Sequence, residues 1–353
     1  MNINDVTIII PSYNNLNHLK NAYASLRYYY PTVELILIDD ASTDDTKSWL
    51  TTLNDDDHLL WWRSNKRVGH TIHYDRGIEA AETPIVGILH ADMYIGKNYI
   101  ENLLKHLKRG IVVCATRVEP PLHPEGKEKI IKDFGQDFDT LNIQGFYDFV
   151  DEEQEKSKNK TTRGMFAPWM LYKEDFESIG GHDYGFAPFP YEDSDIFQRW
   201  FLKGFKLVQS RDSLVYHLTC RGHRWTEEIG KDSDDFKVFE QRAREHYIKK
   251  WGSWIENDEY GHPVIIPVYR KSITFTQPNE QLENLLSIWF NSKTNPSIEV
   301  TVDPATFTQQ DLHYVTILNK IVKNQGQIGE FKLGNLIVKV NDLTEIQHKL
   351  VYY

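Results

Sequence analysis

Short, continuous apolar runs alternate with amphipathic stretches through the first ninety residues, and no other feature of the sequence constrains the fold as strongly. The runs at 6–10, 34–38 and 85–89 are rich in β-branched residues and lack the polar alternation of a half-exposed strand. Between the first two, the stretch 17–29 predicts a helix, with Leu16, Leu19, Ala22, Tyr23 and Leu26 at helical spacing. Buried strands separated by helices predict an α/β fold with a mostly parallel central sheet flanked by helices.

Composition excludes several classes of protein. The chain has 51 acidic and 40 basic residues, and this balance argues against general affinity for nucleic-acid backbone. Two cysteines among 353 residues cannot build a disulfide framework. No run approaches the roughly 20 apolar residues of a membrane span, and the start lacks the basic segment of a signal peptide. We therefore expect a soluble, cytoplasmic protein of roughly two domains.

The pattern of apolar and polar residues changes near residue 255. Residues 1–255 carry the α/β pattern, whereas residues 256–353 combine β-rich runs with helical patterns at 279–290 and 309–324. This predicts a large first domain and a small α+β C-terminal domain. That second domain could bind an acceptor, mediate a homo-oligomer or brace the fold. Within the first domain, the charged run at 151–160 has no apolar face and predicts a solvated loop, with a mobile lid as the alternative.

Chemically capable side chains follow the apolar runs, at the edge of the sheet where parallel strands end. Asp39 and Asp40 close the second run, and His90 and Asp92 follow the third. Carboxylates at a strand end can accept hydrogen bonds from a base or a ribose, although capping and a solvated turn explain them equally well. A carboxylate two residues from an imidazole can hold a divalent ion bound to phosphates, whereas a lone Asp there is usually a turn residue.

Two further groups lie later in the chain. Glu192, Asp193 and Asp195 open an amphipathic helix, where the helix dipole also favours acidic side chains. His217 and Arg221 belong to a group of two histidines and two arginines that follows a short β-like run. Such a group suits a metal and a diphosphate, although a histidine in an apolar run is more often a core residue.

As an ordered set, these motifs resemble those of family 2 glycosyltransferases, and the resemblance covers about the first 225 residues. Residues 7–14 are similar to the family's opening strand and loop, and residues 36–45 to its nucleotide-binding acidic turn. Residues 90–92 stand where the family carries its DxD motif. Residues 180–183 and 192–195 match its GG-x-D and ED-x-D segments. The resemblance implies a Rossmann-like GT-A fold of the soluble, non-processive type.

The resemblance also implies roles for individual residues. Contacts to the nucleotide or donor are implied for Pro11, Tyr13, Asp40, Arg67, His90, Ala91, Arg221, His223 and Arg224. Whether Asp39 or Asp40 reaches the base stays open. Asp92 matches the metal-binding Asp of the DxD motif and His217 a further metal ligand, so Mn²⁺ or Mg²⁺ is the implied cofactor. His90 departs from the Asp that normally begins the motif, but a neutral imidazole can also ligate Mn²⁺.

Asp193 matches the family's catalytic carboxylate, which takes a proton from the acceptor hydroxyl as that group attacks the sugar. Attack opposite the departing nucleoside diphosphate inverts the anomeric configuration. Glu192 and Asp195 are expected to bind acceptor or sugar hydroxyls, or else to cap the helix. The aromatic stretches 164–170 and 184–191 predict either a ring platform beside Asp193 or core packing, and Trp169 is the expected contact to donor sugar or acceptor.

The sequence therefore predicts an inverting, metal-dependent glycosyltransferase that moves a sugar from a nucleotide-sugar donor, first of all a UDP-sugar, to an acceptor hydroxyl. One alternative is a catalytically impaired nucleotide-sugar-binding module, which the departure at His90 favours. Another is a nucleotidyltransferase that makes nucleotide sugars, although residues 11–15 are not the Gly-rich basic loop it would need. The acceptor stays open among a glycan, a protein, a metabolite and a modified nucleic-acid base.

Overall fold

A computed structural model describes most of the first 264 residues and four short segments beyond them. The described residues are 2–53, 56–221, 224–225, 228–251, 254–264, 272–274, 299–302, 331–333 and 336–340. The chain divides into two compact units, Met1–Phe239 with Asn257–His262, and Glu240–Glu256 with Pro263–Tyr353. The predicted boundary at residue 255 stays a prediction.

The first unit alternates strands and helices along the chain. The strands are β1 Val6–Ser12, β2 Glu34–Asp39, β3 Leu59–Arg63, β4 Ile85–Ile88, β5 Met93–Ile95, β6 Ile111–Glu119, β7 Lys129–Ile131, β8 Thr161–Thr162, β9 Trp169–Tyr172 and β10 Lys206–His217. The helices are α1 Leu16–Tyr29, α2 Thr46–Thr51, α3 His70–Ala80, α4 Tyr99–Leu104, α5 Ile143–Ser157, α6 Lys173–Glu177 and α7 Glu192–Lys203. A further helix, α8 Asp234–Trp251, begins in this unit and ends in the second.

The ten strands described in the first unit belong to one sheet, whose main order is β3-β2-β1-β4-β9-β6-β10-β5. The β3-β2-β1-β4 half is parallel throughout. In the other half, β6 and β10 are parallel, whereas β9 runs antiparallel to both β4 and β6. The predicted α/β fold with a mostly parallel sheet is confirmed, and β1, β2 and β4 agree with the predicted runs to within two residues.

The core lies on both faces of the sheet, as the continuous apolar runs require. Ile8 and Ile10 point to one face, where they join a cluster that includes residues of α1 and α4. Ile9 points to the opposite face and joins a cluster with residues of α3 and α7. Successive side chains of a strand alternate between faces, so a strand covered on both sides carries apolar residues on both faces.

The charged run at 151–160 forms a helix over most of its length, so the predicted loop is wrong for residues 151–157. Helix α5 is anchored one turn upstream, where Phe146 and Val150 are buried. Its first turn is capped by Asn142, whose side chain accepts a hydrogen bond from a backbone N–H at 3.0 Å. The charged residues extend this anchored helix into solvent, so they need no apolar face of their own.

The described part of the second unit contains a small antiparallel sheet. Its strands are β11 Ser272–Thr274, β12 Glu299–Val302, β13 Phe331–Leu333 and β14 Leu336–Val340. Strand β14 pairs with each of the other three. The helices predicted at 279–290 and 309–324 lie outside the described residues. Among the residues that the structure describes, no helix has the length and apolar character needed to span a membrane.

Candidate active site

A small cleft of about 70 Å³ lies where β1, β2 and β4 end. Eight residues predicted from the sequence line it together: Pro11, Tyr13, Asp40, Arg67, His90, Ala91, Asp92 and Arg221. It adjoins a wider opening of about 740 Å³, and the two share Tyr13, Asn15, Arg67 and Arg221. The two halves of the sheet thus bring to one cleft residues that are up to 210 positions apart in the chain, from Pro11 to Arg221.

Asp39 builds the turn that follows β2. Its side chain is fully buried. One carboxylate oxygen accepts the backbone N–H of Ser42 at 2.8 Å, and the other lies 2.8 Å from the Arg63 guanidinium. Both oxygens are therefore satisfied within the protein, and Asp39 shapes the turn.

Asp40 lines the cleft, but its carboxylate also has partners on both oxygens. One oxygen accepts the backbone N–H of Val68 at 2.7 Å and the ring N–H of His73 at 2.8 Å. The other accepts the N–H of Gly69 at 2.8 Å. Gly69 has a φ of +93°, and a Cβ there would lie 2.1 Å from the Cα of Pro188, so only glycine fits. Asp40 thus fixes the loop that leads into α3.

His90, Asp92 and His217 form a group that could hold a metal ion. Their ligand atoms all lie within 4.8 Å of one another. Asp92 follows β4 and His217 ends β10, and the pairing of β5 with β10 brings these two strand ends together. Nε2 of His217 lies 3.7 Å from a carboxylate oxygen of Asp92. Two imidazoles and one carboxylate form a donor set that fits a divalent transition metal such as Mn²⁺.

A buried carboxylate lies behind His217. Glu119, at the end of β6, is 2.9 Å from Nδ1 of His217 through one oxygen. The same oxygen lies 2.7 Å from the Arg117 guanidinium, and the other lies 3.1 Å from the Lys129 ammonium group. Burial opposes ionisation, but Arg117 and the hydrogen bond from His217 hold the pKa of Glu119 far below its ordinary value. Glu119 therefore stays charged beside the candidate metal group.

Glu192 and Asp193, two of the three acidic residues in the first turn of α7, have different environments. Glu192 is buried and accepts a 2.5 Å hydrogen bond from Nε2 of His70. Burial would raise the pKa of Glu192, but His70 lowers it below its ordinary value. Burial and then the charge of Glu192 raise the pKa of Asp193 to about 7. A carboxylate that titrates near neutral pH is well matched to general base catalysis.

Two predicted ligand contacts are wrong because the side chains belong to the core. Trp169 is fully buried on β9, with its ring centroid 5.0 Å from that of Trp200, so it packs the interior rather than lining the cleft. Asp195 is also fully buried, and its carboxylate lies 2.8 Å from Nε of Arg199, one helical turn later. This ion pair leaves Asp195 neither a ligand contact nor a helix cap.

Of the basic residues that follow β10, one lines the cleft and another pairs with an acidic residue elsewhere in the protein. Arg221 lines both clefts, and its backbone N–H donates to Asp92 at 3.2 Å. Arg224 is not among the residues that line the clefts. Its Nε lies 2.8 Å from Asp232, and its donor contact stays a prediction. His223 lies outside the described residues.

The residues in or behind the cleft that were not predicted include His70, Tyr74, Phe189 and Glu119. His70 directly follows the constrained Gly69 and opens α3, which is a signal for a residue at the cleft edge. Phe189 belongs to the aromatic stretch at 184–191, for which the sequence predicted either a ring platform or core packing. Its ring lines the cleft, as a platform residue would. Glu119 ends a buried strand, as Asp39 does, and is followed by two prolines.

A comparison with family models matches residues 7–192 to the model described as glycosyl transferase family 2. This match covers more than half of the 353-residue chain. Among curated proteins, glycosyltransferase GlyA of Streptococcus pneumoniae serotype 4 is 24% identical over 103 residues. The matched part is 29% of this chain and 15% of that protein, so the chain corresponds to a small share of that relative's length.

Several solved structures are similar to parts of the chain. A crystal structure of GalNAc-T7 with UDP, GalNAc and Mn²⁺ has a TM-score of 0.46 at 17% identity, over 60% of this chain and 43% of that one. Mannosyltransferase PcManGT from Pyrobaculum calidifontis, in complex with GDP-Man and Mn²⁺, has a TM-score of 0.46 at 18% identity, over 70% and 63%. S. aureus TarS in complex with UDP has a TM-score of 0.45 at 12% identity, over 70% and 72%.

Proposed function

Because the chain belongs to glycosyl transferase family 2, we propose that it transfers a sugar from a nucleotide-sugar donor to an acceptor hydroxyl with inversion of configuration. The proposal rests on one observation, that the candidate metal group and the acidic start of α7 meet at one cleft. His90 and Asp92 of the group that they form with His217 line the cleft. His70 lines it too and donates a hydrogen bond to Glu192, the residue next to Asp193. A diphosphate site and a base are the two elements that such a transfer requires.

The donor would bind along the cleft. Pro11 and Tyr13 are the proposed contacts to the nucleotide, and a UDP-sugar is the proposed donor. The Arg67 guanidinium lies over the Tyr13 ring at 4.0 Å and near the Phe189 ring at 5.3 Å. These rings hold its charge at the cleft, where it can neutralise a phosphate. Arg221 also lines the cleft and offers a second positive charge there.

His90, Asp92 and His217 are the residues that would hold a divalent cation. When bound there, Mn²⁺ would act as a Lewis acid on the donor diphosphate. Two imidazole ligands favour Mn²⁺ over Mg²⁺, which prefers oxygen ligands. His90 therefore keeps a metal-ligating atom where the family has an Asp, and this supports an enzyme rather than an impaired binding module.

Asp193 is the proposed general base. It would take the proton of the acceptor hydroxyl as the oxygen bonds to the anomeric carbon and the bond to the nucleoside diphosphate breaks. Arg67 and Arg221 would stabilise the negative charge that develops on the leaving group. Glu192, held by His70 at 2.5 Å, would keep the pKa of Asp193 near 7 through its charge.

A donor screen tests this proposal. The protein is incubated with Mn²⁺ and UDP-, GDP- or dTDP-sugars, and release of free sugar and nucleotide is measured. We expect hydrolysis of one donor class that is lost in Asp92→Ala and retained in Asp57→Ala, a charge-matched change at an exposed position. Donor binding without turnover for every donor would contradict the transferase and favour the binding module.

A further inference from the structure

We propose that Glu119 is a positioning residue, which fixes the tautomer and orientation of His217 so that Nε2 is presented to a divalent metal ion. The inference rests on the proposed metal-dependent transfer, because it assigns a role to a residue that would not itself contact the metal or the donor. It is carried by the geometry of three buried charged groups behind the cleft.

The fold places Glu119 and His217 side by side. Glu119 is the last residue of β6 and His217 the last of β10, and these strands are parallel neighbours with Val118 opposite Tyr216. Both side chains are buried, Glu119 at 1% exposure and His217 at 8%. Their contact, 2.9 Å from Oε1 to Nδ1, is therefore set by strand register rather than by mobile loops.

The charges around Glu119 determine the direction of this hydrogen bond. The Arg117 guanidinium at 2.7 Å and the Lys129 ammonium group at 3.1 Å keep the carboxylate ionised. An ionised carboxylate only accepts hydrogen bonds, so Nδ1 of His217 must carry the proton. In the neutral ring, Nε2 then holds the lone pair, and Nε2 is the nitrogen that lies 3.7 Å from Asp92.

A simpler role for Glu119 is to neutralise the buried Arg117 and Lys129. Removal of the carboxylate would then destabilise the protein and leave the metal group unchanged. If Glu119 instead positions His217, its removal should weaken metal binding, because the loss of an outer-shell partner of a ligating histidine lowers metal affinity by about 10–100-fold. Metal affinity and the tautomer of His217 therefore separate the two roles.

The experiment measures Mn²⁺ affinity by electron paramagnetic resonance, which detects free Mn²⁺, in the wild type, Glu119→Gln and Asp212→Asn. Glu119→Gln keeps the shape of the side chain and removes its charge. Asp212→Asn is the matched control: Asp212 is a buried carboxylate on β10 that accepts from Ser210 and from the backbone of Asn159, both at 2.7 Å. We expect about 10–100-fold weaker binding in Glu119→Gln and unchanged binding in Asp212→Asn.

A second measurement needs no variant at Glu119 and applies even if that variant does not fold. ¹⁵N chemical shifts of the histidine rings in the wild type, with His217 assigned through His217→Gln, report the tautomer. We expect the Nδ1–H form of His217 when its ring is neutral. The Nε2–H form, or unchanged Mn²⁺ affinity in Glu119→Gln beside measurable binding by the wild type, would overturn this inference alone. Absence of Mn²⁺ binding by the wild type would overturn the proposed metal site and the inference with it.

Discussion

The acidic turn after β2 and the neighbouring ends of β4 and β10, which the pairing of β5 with β10 brings together, both carry aspartates, but these aspartates have different partners. In the turn, both oxygens of Asp39 and both of Asp40 have partners at 2.7–2.8 Å within the protein. At the other strand ends, Asp92 accepts a backbone N–H at 3.2 Å and faces Nε2 of His217 at 3.7 Å. These longer distances leave the carboxylate of Asp92 with capacity for a further positive partner.

An aspartate that follows a buried strand therefore has two possible uses, and its partners decide between them. Full pairing makes it part of the scaffold, because the loss of a buried partner exposes an unsatisfied group. Incomplete pairing at a cleft marks it for a ligand. Three predictions test this distinction, starting from the carboxylate proposed to do the chemistry.

The largest effect is expected for Asp193→Asn, which removes the proposed base and keeps its size. We expect kcat of transfer to fall by about 10²–10⁴-fold, the usual contribution of a general base. Binding of the nucleotide, measured by calorimetry with UDP, should be nearly unchanged. Turnover comparable to the wild type would contradict the assignment of Asp193 and place it with the scaffold carboxylates.

The second prediction compares Asp39→Asn with Asp92→Asn. Asp39→Asn leaves Arg63 without its charged partner, and we expect a loss of about 3 kcal/mol in unfolding free energy, the low end for a broken buried pair because Arg63 is 31% exposed. Asp92→Asn should lose little stability, but its Mn²⁺ affinity should fall by more than about 100-fold, since a direct ligand is lost.

Denaturant unfolding and Mn²⁺ binding, measured on both variants, give the result. A stable Asp39→Asn protein with weakened Mn²⁺ binding would reverse the distinction between the two regions. So would an Asp92→Asn protein that unfolds more easily and binds Mn²⁺ as the wild type does.

The smallest effect concerns the pH profile. Because the pKa of Asp193 is raised to about 7, kcat/KM should rise with pH through about 7 as the base becomes ionised. Glu192→Gln removes a negative charge beside Asp193, so the pKa should fall and the acidic limb should move to lower pH. Glu34→Gln is a matched control, because Glu34 makes the same kind of pair with His58, at 2.8 Å, in a more exposed place. An identical limb in Glu192→Gln and the wild type would show that Glu192 does not set this pKa.

The scaffold of the first unit was predictable because its signals are local. The consecutive isoleucines 8–10 of β1 are expected only in a strand whose two faces are both covered. The acidic turn marks the end of β2, and Gly69 marks the start of α3. Four of the eight predicted residues that share the cleft follow the ends of strands, and parallel strands deliver their ends to one edge: Asp40, His90, Asp92 and Arg221. The other four were implied by the resemblance to the family: Pro11, Tyr13, Arg67 and Ala91.

The remaining site residues depend on contacts between distant parts of the chain. Asp195 and Asp193 look alike in the sequence, but only Asp195 faces inward to Arg199. Trp169 has the composition of a stacking platform and is buried by Trp200, 31 positions later. Glu119 can be recognised as a partner of His217 only from the pairing of β6 with β10, which places the two residues side by side. Burial and partner geometry, rather than residue type, separate these roles.

The loop between β3 and α3 has no regular secondary structure, yet the buried carboxylate of Asp40 holds its last two amides. The amides of Val68 and Gly69 should therefore exchange with deuterium as slowly as amides inside a helix. A loop ordered in this way loses little conformational entropy when a ligand arrives. The rigidity of this loop therefore contributes to the affinity of the cleft, because the entropy cost of ordering it is met when the protein folds and not when the ligand binds.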